Sequence, residues 1–156
     1  MKNLGLFCLL LACIVLESCN KKPKDVEVKY LAEKPTSVQC YKALYDKDTL
    51  ELKVNTLEKG KVTGDLVMKV FNRAKKMGKI AGEFRGDTLF VDYSFASGTD
   101  KATYKNPMAL LKRGNELILG DGKIETYLGA SYFAKGQPID FDKVKYKFST
   151  VDCVDE

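Results

Sequence analysis

The sequence predicts an all-β fold, a small antiparallel meander barrel of about eight strands. Three observations carry that expectation. Apolar residues recur at every second position over much of the chain from Val38 onward, as they do in strands with one dry face. Short clusters of Gly, Asp and Asn punctuate these runs, so neighbouring strands must turn back on one another. No run of helical period exceeds two turns, although 107–112 and 128–134 are ambiguous.

Strands are expected at 38–45, 48–57, 61–72, 78–85, 87–97, 108–113, 115–120 and 144–151. In the second, Leu50, Leu52 and Val54 alternate with Glu51, Lys53 and Asn55. Val62, Gly64, Leu66, Met68 and Val70 follow the same rule in the third, and Ile80, Gly82 and Phe84 in the fourth. Leu89, Val91, Tyr93 and Phe95 give the fifth its apolar face. Turn residues fall between the runs at Asp46-Lys47-Asp48, Lys59-Gly60, Arg85-Gly86-Asp87, Arg113-Gly114-Asn115 and Gly120-Asp121-Gly122. A meander of this many strands exposes two sheet edges unless it closes, which favours a barrel. Gly64 and Gly82 lie on inward faces, where they either permit sharp coiling or are merely tolerated.

Composition bounds the rest. A chain of 156 residues has room for one domain, and 45% hydrophobic with 30% charged residues is ordinary for a folded protein. The net charge of +5 is modest and its lysines are scattered, which leaves no nucleic-acid footprint. There is no His, so chemistry that needs an imidazole base or ligand is excluded. No cofactor is expected.

Met1-Lys2-Asn3 is a short basic start, and Leu4 to Leu16 is an apolar run too short for a bilayer that needs about 20 residues. It ends in Leu16-Glu17-Ser18-Cys19 before a polar stretch. These residues resemble a bacterial lipoprotein signal, with a Leu-x-small-Cys box from which Glu17 departs. Leu10-Leu11-Ala12-Cys13 matches the box better by letter, but leaves too few apolar residues ahead of it and an apolar segment behind. The resemblance implies cleavage after residue 18, acylation of Cys19, and a location in the cell envelope, on the outer membrane. Residues 19–37 then read as a tether and 38–156 as the domain.

With Cys8 and Cys13 in the signal and Cys19 acylated, Cys40 and Cys153 are left. In an oxidising compartment such a pair forms a disulfide, whose loop closure stabilises the fold by about 4–5 kcal/mol. Two thiolates without His make a poor metal site, and the spacing is not that of a redox pair.

The densest basic stretch contains Arg73, Lys75, Lys76 and Lys79. It reads as an exposed loop joining two strands, either a contact for an anionic partner or a solubilising tip. Asp48, Asp65, Asp87, Asp92 and Asp121 read as turn formers or solvated strand residues rather than general acids. Phe84, Tyr93, Phe95, Tyr146 and Phe148 have inward parity, and either fill the barrel or line a pocket.

The hairpin from Gly86-Asp87-Thr88-Leu89 through Gly114-Asn115-Glu116-Leu117-Ile118-Leu119-Gly120 resembles that of small bacterial lipoproteins, which also carry a Cys near the C-terminus. The outline is similar to lipocalin-like or calycin-like domains. That resemblance supports fold and compartment and implies no reaction. The leading expectation is a non-enzymatic binding module for a small apolar ligand or a protein partner. An inhibitor of a lytic enzyme, resembling barrel-shaped lysozyme inhibitors, and a structural or stress-sensing lipoprotein are the rivals.

Overall fold

Strands joined by two-residue loops can pair only antiparallel, and the computed structural model, which describes residues 33–97 and 102–154, closes eight of them into a barrel. In chain order these are β1 (Ser37–Tyr45), β2 (Asp48–Thr56), β3 (Lys61–Lys69), β4 (Lys76–Arg85), β5 (Thr88–Ser97), β6 (Thr103–Arg113) and β7 (Glu116–Leu119). The chain then makes an excursion containing a separate hairpin, β8 (Ile124–Tyr127) and β9 (Ala130–Phe133). It returns as β10 (Lys147–Val151), which pairs with β7 on one side and β1 on the other. Cys40 opposite Val151 and Phe148 opposite Leu117 set the closing register. No sheet edge is left in the main barrel, as the meander argument requires.

All eight expected strands are present, with shifted ends. β3 stops at Lys69 and β4 starts at Lys76, so two of the four basic residues assigned to a loop belong to a strand. β6 begins at Thr103 and takes in the ambiguous 107–112; the ambiguous 128–134 forms a turn and β9. The β8–β9 hairpin has no counterpart in the expectation. Its sequence, Ile124-Glu125-Thr126-Tyr127 and Ala130-Ser131-Tyr132-Phe133, lacks a clean apolar alternation because most of it faces solvent.

Inward parity holds across the barrel. Leu50, Leu52, Val54, Val62, Leu66, Ile80, Leu89, Val91, Tyr93, Leu110, Leu117 and Phe148 are buried in one continuous core. Phe95 belongs to it, and Phe84 and Tyr146, partly buried, pack against it, so the five inward aromatics pack in or against the core. Gly64 and Gly82 are required rather than tolerated. A Cβ on Gly64 would lie 1.9 Å from the Lys53 carbonyl oxygen, and one on Gly82 1.9 Å from that of Phe90. Such backbone approach is what lets long strands coil into a narrow barrel.

The two ends differ. At the end where β1 starts and β10 stops, Gly86-Asp87 and Gly114-Asn115 close two-residue hairpin loops, and a 3-10 turn at Glu58–Gly60 joins β2 to β3. Here Cys40 and Cys153 form the disulfide, with Cα atoms 5.2 Å apart across the β1–β10 seam. The opposite end, called the mouth below, carries the β3–β4 loop and the excursion from β7 to β10. Cys19, the signal segment and most of the tether lie outside the described residues.

Candidate functional site

The mouth is open because the wall is uneven. β6 is eleven residues long, whereas β7 has only four, so the first part of β6 rises above its neighbour. The excursion fills part of that notch. β9 lies against β6, and Ala109 and Ile118, outward by parity, are nonetheless buried along with Ala134. Gly120 and Gly122 admit this close return, since a Cβ on either would meet Ile139, Phe141 or Phe133.

Inside the notch is a cavity of ≈ 230 Å³. Its wall is mostly apolar: Met68, Tyr93, Phe95, Met108 and Leu119 from the barrel, with Phe133 from the hairpin. Tyr93 and Phe95 stack at 4.8 Å between ring centroids, and Phe95 continues onto Tyr104 at 5.7 Å. The Tyr93 hydroxyl donates to the Leu66 carbonyl at 3.1 Å, and burial pushes its pKa up to about 12. It stays neutral at any physiological pH and acts as wall and strut, not as an acid.

Strand parity also brings Lys76 here. It shares the inward side of β4 with Gly78, Ile80 and Gly82, and its ammonium sits 4.8 Å from the centre of the Phe95 ring. Extending the Ile80–Gly82–Phe84 alternation back two steps would have found this position in the sequence. The run of neighbouring cations hid it.

The four basic residues therefore form no single patch. Lys79 is on the outer wall and ion-pairs with Asp65, its cross-strand neighbour. Lys75 is exposed. Arg73 is exposed in the β3–β4 loop and contributes to the field at Asp48. The reading of 73–79 as one exposed loop is thus corrected: a period of two sends Lys76 inward and Lys79 outward.

Asp48 does more than form a turn. Its carboxylate accepts from the Phe71 backbone N–H at 2.8 Å and from the Tyr146 hydroxyl at 2.7 Å. One side chain thereby ties the start of β2 to the β3–β4 loop and to the returning excursion. The Phe71 amide first, then Tyr146, hold the Asp48 carboxyl below its ordinary value, with Lys145 and Arg73 assisting. Burial and the bond to Asp48 push Tyr146 up to about 12. Of the other carboxylates weighed in the sequence, Asp65 and Asp92 pair with Lys79 and Lys105 on the outer wall. Asp87 closes a hairpin loop, and Asp121 is exposed at the start of the excursion.

Beside the cavity the β8–β9 hairpin projects an apolar tip. Tyr127 and Leu128 are 66% and 88% exposed, and Leu128 has φ of 49°. With Gly129 at 80°, this is a two-residue turn in which both residues are left-handed, a geometry that favours Asn-Gly over Leu-Gly. Among the described residues no group of three or more Cys, Asp or Glu is placed to hold a metal ion.

The fold and site together define a closed eight-stranded antiparallel barrel with an apolar mouth. Comparisons with family models, curated proteins and solved structures return no match to this chain.

Proposed function

We propose that this is a lipid-anchored protein of a bacterial cell envelope, held on the outer membrane by acyl chains on Cys19, whose barrel is a non-enzymatic binding module for a small apolar ligand. The observation that carries the ligand is the open ≈ 230 Å³ cavity walled by Met68, Tyr93, Phe95, Met108, Leu119 and Phe133. That volume falls under the roughly 300–1,000 Å³ of sites for drug-sized molecules, so the ligand is small. A core filled below the mouth supports one shallow site rather than a deep calyx. The anchor rests on the sequence of residues 1–19, and its position suits the barrel. β1 starts at the end opposite the mouth, so a tether entering there leaves the cavity facing away from the lipid.

Methionine methyl NMR tests the binding reading. Titrating 1-octanol should shift Met68 and Met108, which line the cavity, and leave Met77, which points outward from β4, unmoved. Silence at all three, or equal shifts at all three, would sink it. The anchor is checked separately by palmitate labelling, which Cys19→Ala should abolish. Labelling that persists in that variant would point to Cys13.

A second reading has its own observation. The exposed Tyr127 and Leu128, at the tip of a hairpin whose Leu128 has a disfavoured backbone conformation, suit a protein partner such as a lytic enzyme to be inhibited. A partner that binds wild type but not Tyr127→Ser would favour this reading over the cavity.

A further inference from the structure

Inward positions of a barrel this narrow normally hold apolar side chains, because a charge there loses water. Two charged residues break this rule at the mouth: Asp48, which is engaged by the Phe71 amide and the Tyr146 hydroxyl, and Lys76. The backbone position of Lys76 is fixed by the β3–β4 and β4–β5 ladders, opposite Met68 on one side and Ser97 on the other. Lys76 stands at the last rung of both ladders, half-buried, and its ammonium lies over the buried Phe95 ring where both line the cavity. The ring offers its negative face to one side of the ammonium. It accepts no hydrogen bond of the strength a carboxylate would. Among the described residues Lys76 has no ion pair and no hydrogen bond to a protein acceptor, whereas five lysines of the outer wall, Lys42, Lys61, Lys69, Lys79 and Lys105, are each paired with a carboxylate.

Asp121 is the other charged residue lining the cavity. It is exposed, its backbone is engaged with Asp140 through two hydrogen bonds of 2.8 Å, and it forms no ion pair with Lys76. The wall thus offers an apolar surface with a half-buried cation and an exposed carboxylate.

From this we propose that the ligand is a small apolar acid, whose hydrocarbon part lies against Met68, Met108 and Leu119 and whose anionic head meets the Lys76 ammonium. The assignment rests on the binding reading above and names the chemical class it takes. An anion at the cavity gains a charge-assisted hydrogen bond from the Lys76 ammonium, beside the apolar wall that takes its hydrocarbon part. A neutral molecule of equal length gains only the apolar contact. A cationic one meets repulsion.

Three probes with one hydrocarbon chain separate these cases: octanoate, 1-octanol and octylammonium. Each is titrated into the full chain in lipid nanodiscs, read at the Met68 and Met108 methyls, with free concentrations corrected against protein-free nanodiscs. Octanoate should bind roughly five- to tenfold tighter than octanol, a discount on a buried pair because the ammonium still touches solvent, and octylammonium should bind weakest. Lys76→Met should abolish the octanoate preference and keep octanol binding, which also shows that the variant is folded. Raising the salt concentration should erode the preference in wild type and change nothing in the variant. Equal affinity for octanoate and octanol would overturn the role of Lys76 and leave the apolar site standing. Tightest binding of octylammonium would overturn it in favour of Asp121. No binding of any probe would remove both the site and its anion.

Discussion

The two ends of the barrel follow different rules. At the end where β1 starts, three stabilising features coincide: glycines at positive φ in Gly60, Gly86 and Gly114, tight hairpin loops, and a disulfide across the closing seam. At the mouth the rules relax. A long excursion replaces a tight turn, a lysine takes an inward position, a leucine adopts φ of 49°, and Phe71, Tyr127 and Leu128 stay more than half exposed. Local departures from good folding chemistry cluster where a protein does its work, and are tolerated because another region holds the fold. On the proposed reading, the difference separates stability from binding along the barrel axis.

The largest effects should therefore come from the barrel itself. Leu66→Asp and Val91→Asp put an unpaired carboxylate into positions 1% and 4% exposed, and each should cost about 4 kcal/mol or more in urea unfolding. Lys69→Asp and Asp92→Lys, on the outer wall, exchange the pairs with Glu51 and Lys105 for solvent-screened like-charge contacts and should cost only about 1 kcal/mol. Similar losses in both sets would mean that the register is wrong.

Next comes the seam. Reducing the Cys40–Cys153 bridge, or replacing both residues by Ser, should remove up to about 4–5 kcal/mol by releasing a loop with a sequence separation of 113. The methyl shifts that octanol induces at Met68 and Met108 should survive wherever the barrel remains folded. Two reactive thiols per chain in the denatured, unreduced protein would contradict the bridge.

Much of this was legible beforehand. The alternation of Leu50-Leu52-Val54 or Leu89-Val91-Tyr93 fixes which face is dry, and the lone pair Cys40 and Cys153 names its own partner. The mouth was not legible, for a physical reason. Period two is a signal of burial, and the excursion is largely solvent-facing, so β8 and β9 leave no such trace. Asp48 is equally hidden, because the Tyr146 that it binds is 98 residues away. Lys76 was within reach, since its parity follows from Ile80, but a run of cations reads as surface.

Effects at the mouth should be smaller and pH-dependent. The folded Asp48 carboxyl ionises more readily than in the unfolded chain, so its contribution is present above the ordinary aspartate value and lost as pH falls through the lower folded one. Tyr146 and Tyr93 shift the other way, to about 12. Their contribution is full below the ordinary tyrosine value of 10.0 and fades as pH rises from there through about 12. Unfolding measured across pH should show both limbs, with the acid limb shallower in Asp48→Asn and the alkaline limb shallower in Tyr146→Phe. Unchanged limbs in both variants would mean that the tie across the mouth contributes nothing.

The smallest change should be a gain. Leu128→Asn gives the β8–β9 turn the Asn-Gly sequence that its geometry favours, and should stabilise by about 0.5–1 kcal/mol. A loss instead would mean that Leu128 packs on something in the folded chain, against its 88% exposure.

The separation of a stable frame from a binding mouth is tested most directly by a crystal structure of the protein soaked in octanoate. One molecule should appear in the notch between β6 and the hairpin, with its chain against Met68, Met108 and Leu119 and its carboxylate on Lys76, and the interior toward the disulfide should stay free of it. Ligand density at the disulfide end, or on the outer wall with the mouth empty, would contradict the account.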